Sequence, residues 1–283
     1  MSTLTLDAPL VKLLPDGVGV HFDASALLTL AGELRSGYRD ASPYAHVVLR
    51  GLVGDDVLER VVAELLQTPD REMQTTKSRR MVKHETPEVQ SIGITANALA
   101  KALDSVDFVA FLRQLTGIPD LLADPTHFAA GIHETRPGGF TKVHTDFKRH
   151  PHTRLHHRVN VLLYLNPAWL PEHGGSLELW PRDMSAMGRS VLPELGTMVV
   201  FETSAHTPHG LPAPVTCPSG GARRSLAAYY YSVDRPRQER VGGALSGYRA
   251  RPGEGRMVGL PTPKELLMAL VPERVRRLRD VRR

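Results

Sequence analysis

Apolar residues follow two different rhythms along this chain, and the rhythm changes near residue 128. Upstream, Val57-Leu58, Val61-Val62 and Leu65-Leu66 recur at helical spacing. That stripe predicts an amphipathic helix over residues 55–66, with Asp55 and Asp56 where the dipole favours negative charge. Thr68-Pro69 predicts its end. A second helix is predicted near 95–103 and a third near 105–116, where Ser105 can cap, Gly117 can stop, and Phe108, Leu112 and Leu115 supply a buried face. Between the first two helices, residues 74–85 are polar and without period. They read as a long loop, a lid or a substrate-contacting segment.

From Phe128 onward the runs shorten and turn residues separate them. Residues 128–132, 159–165, 176–180, 197–201 and 225–232 are apolar, β-branched or aromatic, with Gly, Pro and Asn between. This texture predicts an all-β core, as a sandwich, jelly roll or barrel. After Asp234 the chain reads as loop, with a last helix starting after Pro263. No period repeats along the chain, which excludes solenoids and propellers.

Composition narrows the setting. With 283 residues, 41% hydrophobic and 23% charged, the sequence is that of a globular protein rather than a disordered one. No run of apolar residues is long enough to span a bilayer, and the N-terminus lacks the pattern of a secretory signal, so a cytoplasmic protein without membrane partners is expected. One cysteine, Cys217, cannot form an internal disulfide, and no His stands near it in sequence to make it a catalytic thiol. The net charge is +5, and Arg274, Arg276, Arg277, Arg279, Arg282 and Arg283 concentrate it at the end. No nucleic-acid motif accompanies that tail, so it reads as a solvated helix face rather than a nucleic-acid contact. Nothing in the pattern specifies an oligomer.

Histidines bring chemistry into view, with six between 144 and 173 and two more at 206 and 209. In His144-Thr145-Asp146, the first and third side chains would share one face of a strand. His209, at a turn after the strand 197–201, is the best third member. Two His and one carboxylate on one face of an octahedron leave three positions open, the facial triad of non-haem Fe(II) oxygenases. Fourteen residues beyond His209, Arg223 opens an apolar strand on the same face as Ser225. A guanidinium there suits a carboxylate that it can pair with two parallel hydrogen bonds.

At this point the sequence resembles a known family. Over residues 127–235 it is similar to the Fe(II)- and 2-oxoglutarate-dependent oxygenases, in particular their prolyl 4-hydroxylase-like branch. The resemblance is carried by Gly138-Gly139-Phe140, His144-Thr145-Asp146-Phe147, Arg158 to Asn166, Trp169, Gly174 to Trp180, Pro193, Gly196, Phe201, His209-Gly210 and Arg223-Arg224-Ser225. The flanks 115–118 and 248–253 look like a bacterial subgroup of that branch. The resemblance implies a fold that is mainly β with flanking helices (α+β), built on a double-stranded β-helix of the jelly-roll or cupin-like kind. It implies one oxygenase domain over 1–283, comprising an N-terminal helical flank (1–120), the core (121–235) and a C-terminal extension (236–283). It implies iron ligation by His144, Asp146 and His209, and binding of the distal carboxylate of 2-oxoglutarate by Arg223 and Tyr164. Ser225 and Asn160 would line the co-substrate pocket. Fe(II), 2-oxoglutarate and O2 would be required, with ascorbate as an accessory stimulant.

The expected reaction is hydroxylation of an unactivated C–H bond, with release of succinate and CO2. The expected substrate is a small molecule, an amino acid, sugar or secondary metabolite, with a peptidyl proline as the alternative. Lys77, Arg79, Arg80 and Lys83 in the 74–85 segment would suit an anionic or polyhydroxylated substrate. Halogenation is disfavoured because Asp146 supplies the carboxylate that halogenases lack. Two readings outside the class remain: a cupin-like metal-dependent isomerase or hydrolase, and a basic nucleic-acid-binding protein. His206 is the rival to His209 as a ligand. His150, His152, His156 and His157 read as structural or exposed, His133 as facing pocket or core, and Trp169 and Trp180 as packing residues.

Overall fold

The strand His156–Tyr164 separates two apolar environments, and side-chain alternation explains how. Val159, Val161 and Leu163 point outward into the main core with the helices. Tyr164, with Leu162 packed against the same cluster, points inward to meet Val199, Phe201, Leu177 and Leu179. Met198–Glu202 repeats the division, with Met198 and Val200 outward and Val199 and Phe201 inward. A strand buried on both faces must read as a continuous apolar run, which is the pattern these segments carry.

The computed structural model describes residues 3–14, 19–68, 74–86, 88–124, 126–236 and 247–255. The last helix expected after Pro263 and the basic residues 274–283 lie outside the described residues. Among the described residues, fourteen strands form one sheet, and a two-stranded ribbon, Val11–Leu13 with Val20–Phe22, stands apart. His156–Tyr164 pairs antiparallel with Met198–Glu202 on one side and Arg223–Ser232 on the other. Beyond Arg223–Ser232 come Gly131–Thr135, Met81–Thr86, Phe140–Thr145, His209–Leu211, Leu177–Leu179 and Arg189–Val191. The sheet curls until Leu177 and Leu179, near one end of that order, pack on Tyr164 and Phe201 near the other. This is a mainly β double-stranded β-helix with flanking helices.

The helices cover the outside of the curl. Asp55–Gln67 buries Val57, Leu58, Val61 and Leu65, the expected stripe. Val106–Thr116 is capped by the Ser105 hydroxyl, which accepts from Phe108 N, and stops at Gly117 in the left-handed conformation (φ 74°). Ile94–Leu103 begins after Gly93, which has no side chain to cap with. Glu64 of the preceding helix substitutes, accepting from Thr95 N and Ala96 N at 2.8 Å each. Among the described residues no helix is long and apolar enough to cross a membrane.

The structure departs from the sequence reading in the N-terminal flank. Helix Ala24–Arg39 was not anticipated, although Asp23 caps it and Leu27, Leu30, Ala31, Leu34 and Tyr38 form its buried stripe. His46–Arg50, also unanticipated, pairs with Met198–Glu202. The expected 74–85 loop is instead a hairpin, Gln74–Lys77 with Met81–Thr86. Its second strand docks on both Gly131–Thr135 and Phe140–Thr145. Backbone pairing on both sides fixes this segment, so side-chain polarity says little about it. The first core strand also shifts, from the expected 128–132 to Gly131–Thr135.

Candidate metal and co-substrate site

Phe140–Thr145 ends one residue before Asp146, so His144 and Asp146 leave the sheet on the same side. His209, expected at a turn, begins the short strand His209–Leu211 and is the register partner of His144. The two strands can come this close because residue 210 is glycine. A Cβ there would lie 2.8 Å from Thr141 O and 3.0 Å from Lys142 O, both backbone atoms that cannot retreat. His144 Nε2 thereby stands 3.2 Å from Asp146 Oδ1, and His209 Nε2 stands 3.4 Å from Asp146 Oδ2.

Each imidazole is oriented by the chain. His144 Nδ1 donates to Lys142 O at 2.9 Å, and His209 Nδ1 donates to Thr207 O at 3.1 Å. A carbonyl can only accept, so Nδ1 of each ring carries a proton and Nε2 is the ring nitrogen that faces the carboxylate. Burial pushes His209 down to about 4, against the pull of Asp146, and keeps it neutral at neutral pH. Burial alone would raise the Asp146 carboxyl, but His209 and His144 outweigh it and hold the group well below the usual carboxylate range. Asn160 Nδ2 donates to Asp146 Oδ2 at 2.7 Å.

The three ligand atoms lie within 4.8 Å of one another, and this is the one such group found among the described residues. Two imidazole nitrogens and one carboxylate form a donor set that fits ferrous iron and other first-row divalent metals. His206 is not part of the group. His150 is buried beside Asp124 at 3.3 Å, and His157 stacks between Phe147 and Tyr231, so both serve packing as expected.

The triad opens into a cavity of about 210 Å³ whose lining also includes Arg223, Ser225 and Asn160. Arg223 is held from two sides. Its Nε donates to Gly175 O at 2.7 Å, and its Nη2 donates to the Tyr164 hydroxyl at 3.1 Å. Gly175 has φ +69°, and a Cβ there would meet Arg223 Cδ at 3.1 Å, so the glycine supplies both the turn and the space. Tyr164 is fully buried, and burial pushes its hydroxyl up, keeping it protonated. Ser225 is the register partner of both Tyr164 and His133. The cavity therefore has a neutral-to-anionic donor cluster at one end and a fixed guanidinium at the other.

Lys83, singled out in the 74–85 segment, also lines the cavity, as do His133 and Tyr248, to which the sequence assigned no role. Lys83 Nζ lies 2.5 Å from Glu85 Oε2, and His133 Nε2 lies 3.8 Å from the same oxygen. Burial, then Lys83, pushes His133 down to about 4. Tyr248 pairs with His144 in register, its ring 5.7 Å from the imidazole, and the Arg80 guanidinium lies over the Tyr248 ring at 4.5 Å. Only the end of the polar 74–85 segment reaches the cavity, through Met81 and Lys83, while Lys77 and Arg79 face solvent. The pairing that brings Lys83 to the cavity was not visible in the sequence, where the segment reads as a loop.

Comparison with known proteins agrees with this geometry. Residues 130–231 match the family model described as the 2OG-Fe(II) oxygenase superfamily. No curated protein matches the chain. Among solved structures, a prolyl-4-hydroxylase from Pseudomonas putida is 18% identical over 73% of this chain and 98% of its own, with a TM-score of 0.50. A prolyl hydroxylase from Trichoplax adhaerens, solved with a hypoxia inducible factor peptide fragment, is 14% identical over 74% of this chain and 91% of its own, with a TM-score of 0.54. A prolyl 4-hydroxylase from Phytophthora capsici is 17% identical over 74% of this chain and 65% of its own, with a TM-score of 0.51. At such identities these likenesses speak to the fold. Residues 130–231, the stretch that carries His144, Asp146, His209 and Arg223, are thus similar in sequence to the 2OG-Fe(II) oxygenase superfamily.

Proposed function

We propose that this enzyme hydroxylates an unactivated C–H bond of a small molecule, an amino acid, sugar or secondary metabolite. His144, Asp146 and His209 would hold ferrous iron, and Arg223, Tyr164 and Ser225 would hold 2-oxoglutarate. The observation that carries this reading is the shared cavity: three metal-competent atoms within 4.8 Å of one another open into the same space as the Arg223 guanidinium. The chemistry that iron and 2-oxoglutarate supply when bound is O2-dependent insertion of oxygen into a C–H bond, with the keto acid leaving as succinate and CO2.

The residues of this chain orient and enclose. Arg223 bonds through Nε to Gly175 O and through Nη2 to the Tyr164 hydroxyl, which hold its guanidinium in one orientation where the residue lines the cavity. A planar cation held in this way suits the distal carboxylate of a dicarboxylic acid. Asn160 lines the cavity, and its amide donates to the Asp146 carboxylate. Phe201 packs edge-on against His209 and helps keep water from that side of the donor set.

A cavity of about 210 Å³, shared with a keto acid, favours a small substrate. The strands His46–Arg50 and Met81–Thr86 belong to the same sheet as the core, which supports treating the chain as one oxygenase domain. The second reading, hydroxylation of a peptidyl proline, draws on the fold shared with prolyl hydroxylases. Anaerobic purification with Fe(II), followed by a succinate-release screen over metabolite pools and proline-containing peptides, separates the two. Release stimulated by metabolites is the expected result, and release stimulated only by peptides would overturn the small-molecule assignment.

A further inference from the structure

Besides the triad and Arg223, the basic side chains that line the cavity among the described residues are Lys83 and His133, and the proposed reaction uses neither. They arrive on paired strands: Met81–Thr86 lies beside Gly131–Thr135, and Glu85 is the register partner of His133. Lys83 and Glu85 stand two apart on one strand, so their side chains share a face. Lys83 Nζ is 2.5 Å from Glu85 Oε2, and His133 Nε2 is 3.8 Å from the same oxygen. Two groups held against one carboxylate oxygen are neighbours on the cavity wall.

Both groups are fixed and both keep bonding capacity. His133 Nε2 meets Ala129 O at 3.0 Å, and a carbonyl only accepts, so Nε2 carries the proton. Burial, then the Lys83 charge, pushes the ring down to about 4, so it is neutral at neutral pH. Nδ1 is therefore an acceptor, and it has no hydrogen-bond partner among the described residues. The Lys83 ammonium has three N–H groups, and among the described residues Glu85 is its one ion-pair partner. Arg223 serves a different place. Its strand runs between Gly131–Thr135 and His156–Tyr164, and its Nη2 donates to Tyr164 on the latter. Lys83 and His133 lie on the opposite flank of that strand, so the cavity has two separate cationic positions.

Resting on the oxygenase reading, we propose that Lys83 and His133 form the substrate subsite, and that the substrate is a small α-amino or α-hydroxy acid. Its carboxylate pairs with the Lys83 ammonium, and the N–H or O–H on the adjacent carbon donates to His133 Nδ1. Hydrogen bonds between ionised partners are about twice as strong as neutral ones, so the carboxylate gains most from Lys83. An amino acid gains further, because its ammonium stands in the field of Glu85. A neutral sugar offers hydroxyls to both groups but no charge for Lys83. A proline inside a peptide offers neither a free carboxylate nor a hydrogen on its nitrogen. The second anion, the keto acid, keeps Arg223 to itself.

The test is calorimetric titration of the standard L-amino acids and the corresponding 2-hydroxy acids into the full chain loaded with Mn(II) and saturated with 2-oxoglutarate. Each acid that binds is compared with its carboxamide, and with its own binding to Lys83→Met and His133→Phe. The expected result is saturable binding of at least one acid. Its carboxamide, and the acid itself on Lys83→Met, should each bind at least about tenfold more weakly, equivalent to about 1.4 kcal/mol. His133→Phe should weaken that acid but not the analogue that lacks the α-amino or α-hydroxyl group. Mn(II) and 2-oxoglutarate bind Lys83→Met as they bind wild type, which shows the variant to be folded. No saturable binding by any of the acids, or equal binding of acid and carboxamide, overturns the proposal. A matching loss of 2-oxoglutarate affinity in Lys83→Met assigns Lys83 to the keto acid and overturns it as well. Failure of 2-oxoglutarate to bind the Mn(II)-loaded wild type, while an acid still binds, would strike the oxygenase reading instead.

Discussion

Asn160 donates its side-chain amide to Asp146 Oδ2 at 2.7 Å, across fourteen residues of sequence and from the opposite side of the curled sheet. The bond fixes the only carboxylate of the triad and leaves Asn160 Oδ1 buried without a partner of its own. A buried polar atom left in this way costs stability, so the amide is held for the sake of the carboxylate. Asn160→Asp would place a second negative charge against Asp146 and raise its pKa. Metal affinity in that variant should change at least about tenfold, whereas Asn160→Ala should lose less, since charged hydrogen bonds are worth about 1.5–3 kcal/mol. Mn(II) titration followed by electron paramagnetic resonance measures both, and identical affinities in all three proteins would remove Asn160 from the site.

Arg223 is anchored by Gly175 O through Nε and by the Tyr164 hydroxyl through Nη2. Lysine has neither the fork nor the fixed plane, so Arg223→Lys should behave almost as poorly as Arg223→Ala. Loss of one charge-assisted pair corresponds to a rise of roughly 10- to 100-fold in the 2-oxoglutarate concentration required. Tyr164→Phe should raise it by less. An unchanged requirement in Arg223→Ala would mean that the keto acid binds elsewhere.

Gly210 brings the His209 strand against Phe140–Thr145. Gly210→Ala inserts a methyl 2.8 Å from a backbone oxygen, and overpacking of that kind costs about 1–3 kcal/mol. The melting temperature should fall, and metal affinity should fall with it, because His209 moves with the strand. A variant with wild-type melting and wild-type metal affinity would contradict the close approach.

His127 and Asp104 form a pair remote from the triad, Nε2 to Oδ2 at 2.5 Å. Asp104 raises the His127 pKa, against the effect of burial. The pair therefore contributes stability that is complete below the unfolded value, about 6.5, and is lost as pH rises through the higher folded value. Denaturant unfolding across about pH 5.5 to 8.5 should show wild type losing stability relative to Asp104→Asn as pH increases. A difference between the two proteins that does not vary with pH would contradict the linkage.

The sequence disclosed the site more fully than the frame around it. His144 and Asp146 stand two apart at the end of one strand, and local spacing suffices to align them. Arg223 and Ser225 share a face for the same reason. His209 was singled out by its place after the strand 197–201, but its closeness to His144 depends on strand pairing across more than sixty residues, which spacing alone does not give. The helix Ala24–Arg39 was legible in principle from the Asp23 cap and the spacing of Leu27, Leu30, Ala31 and Leu34. Met81–Thr86 was not, since its polar side chains carry no alternating pattern and its stability comes from backbone bonds to two neighbours.

The most direct measurement is anaerobic titration of Fe(II) into the full chain, with 2-oxoglutarate binding followed as the metal fills. Wild type should take up one Fe(II) per chain and bind 2-oxoglutarate only when it is present, while His144→Ala, Asp146→Ala and His209→Ala each lose both. Full-affinity Fe(II) uptake by any one of these three variants, or 2-oxoglutarate binding that ignores the metal, would contradict the account.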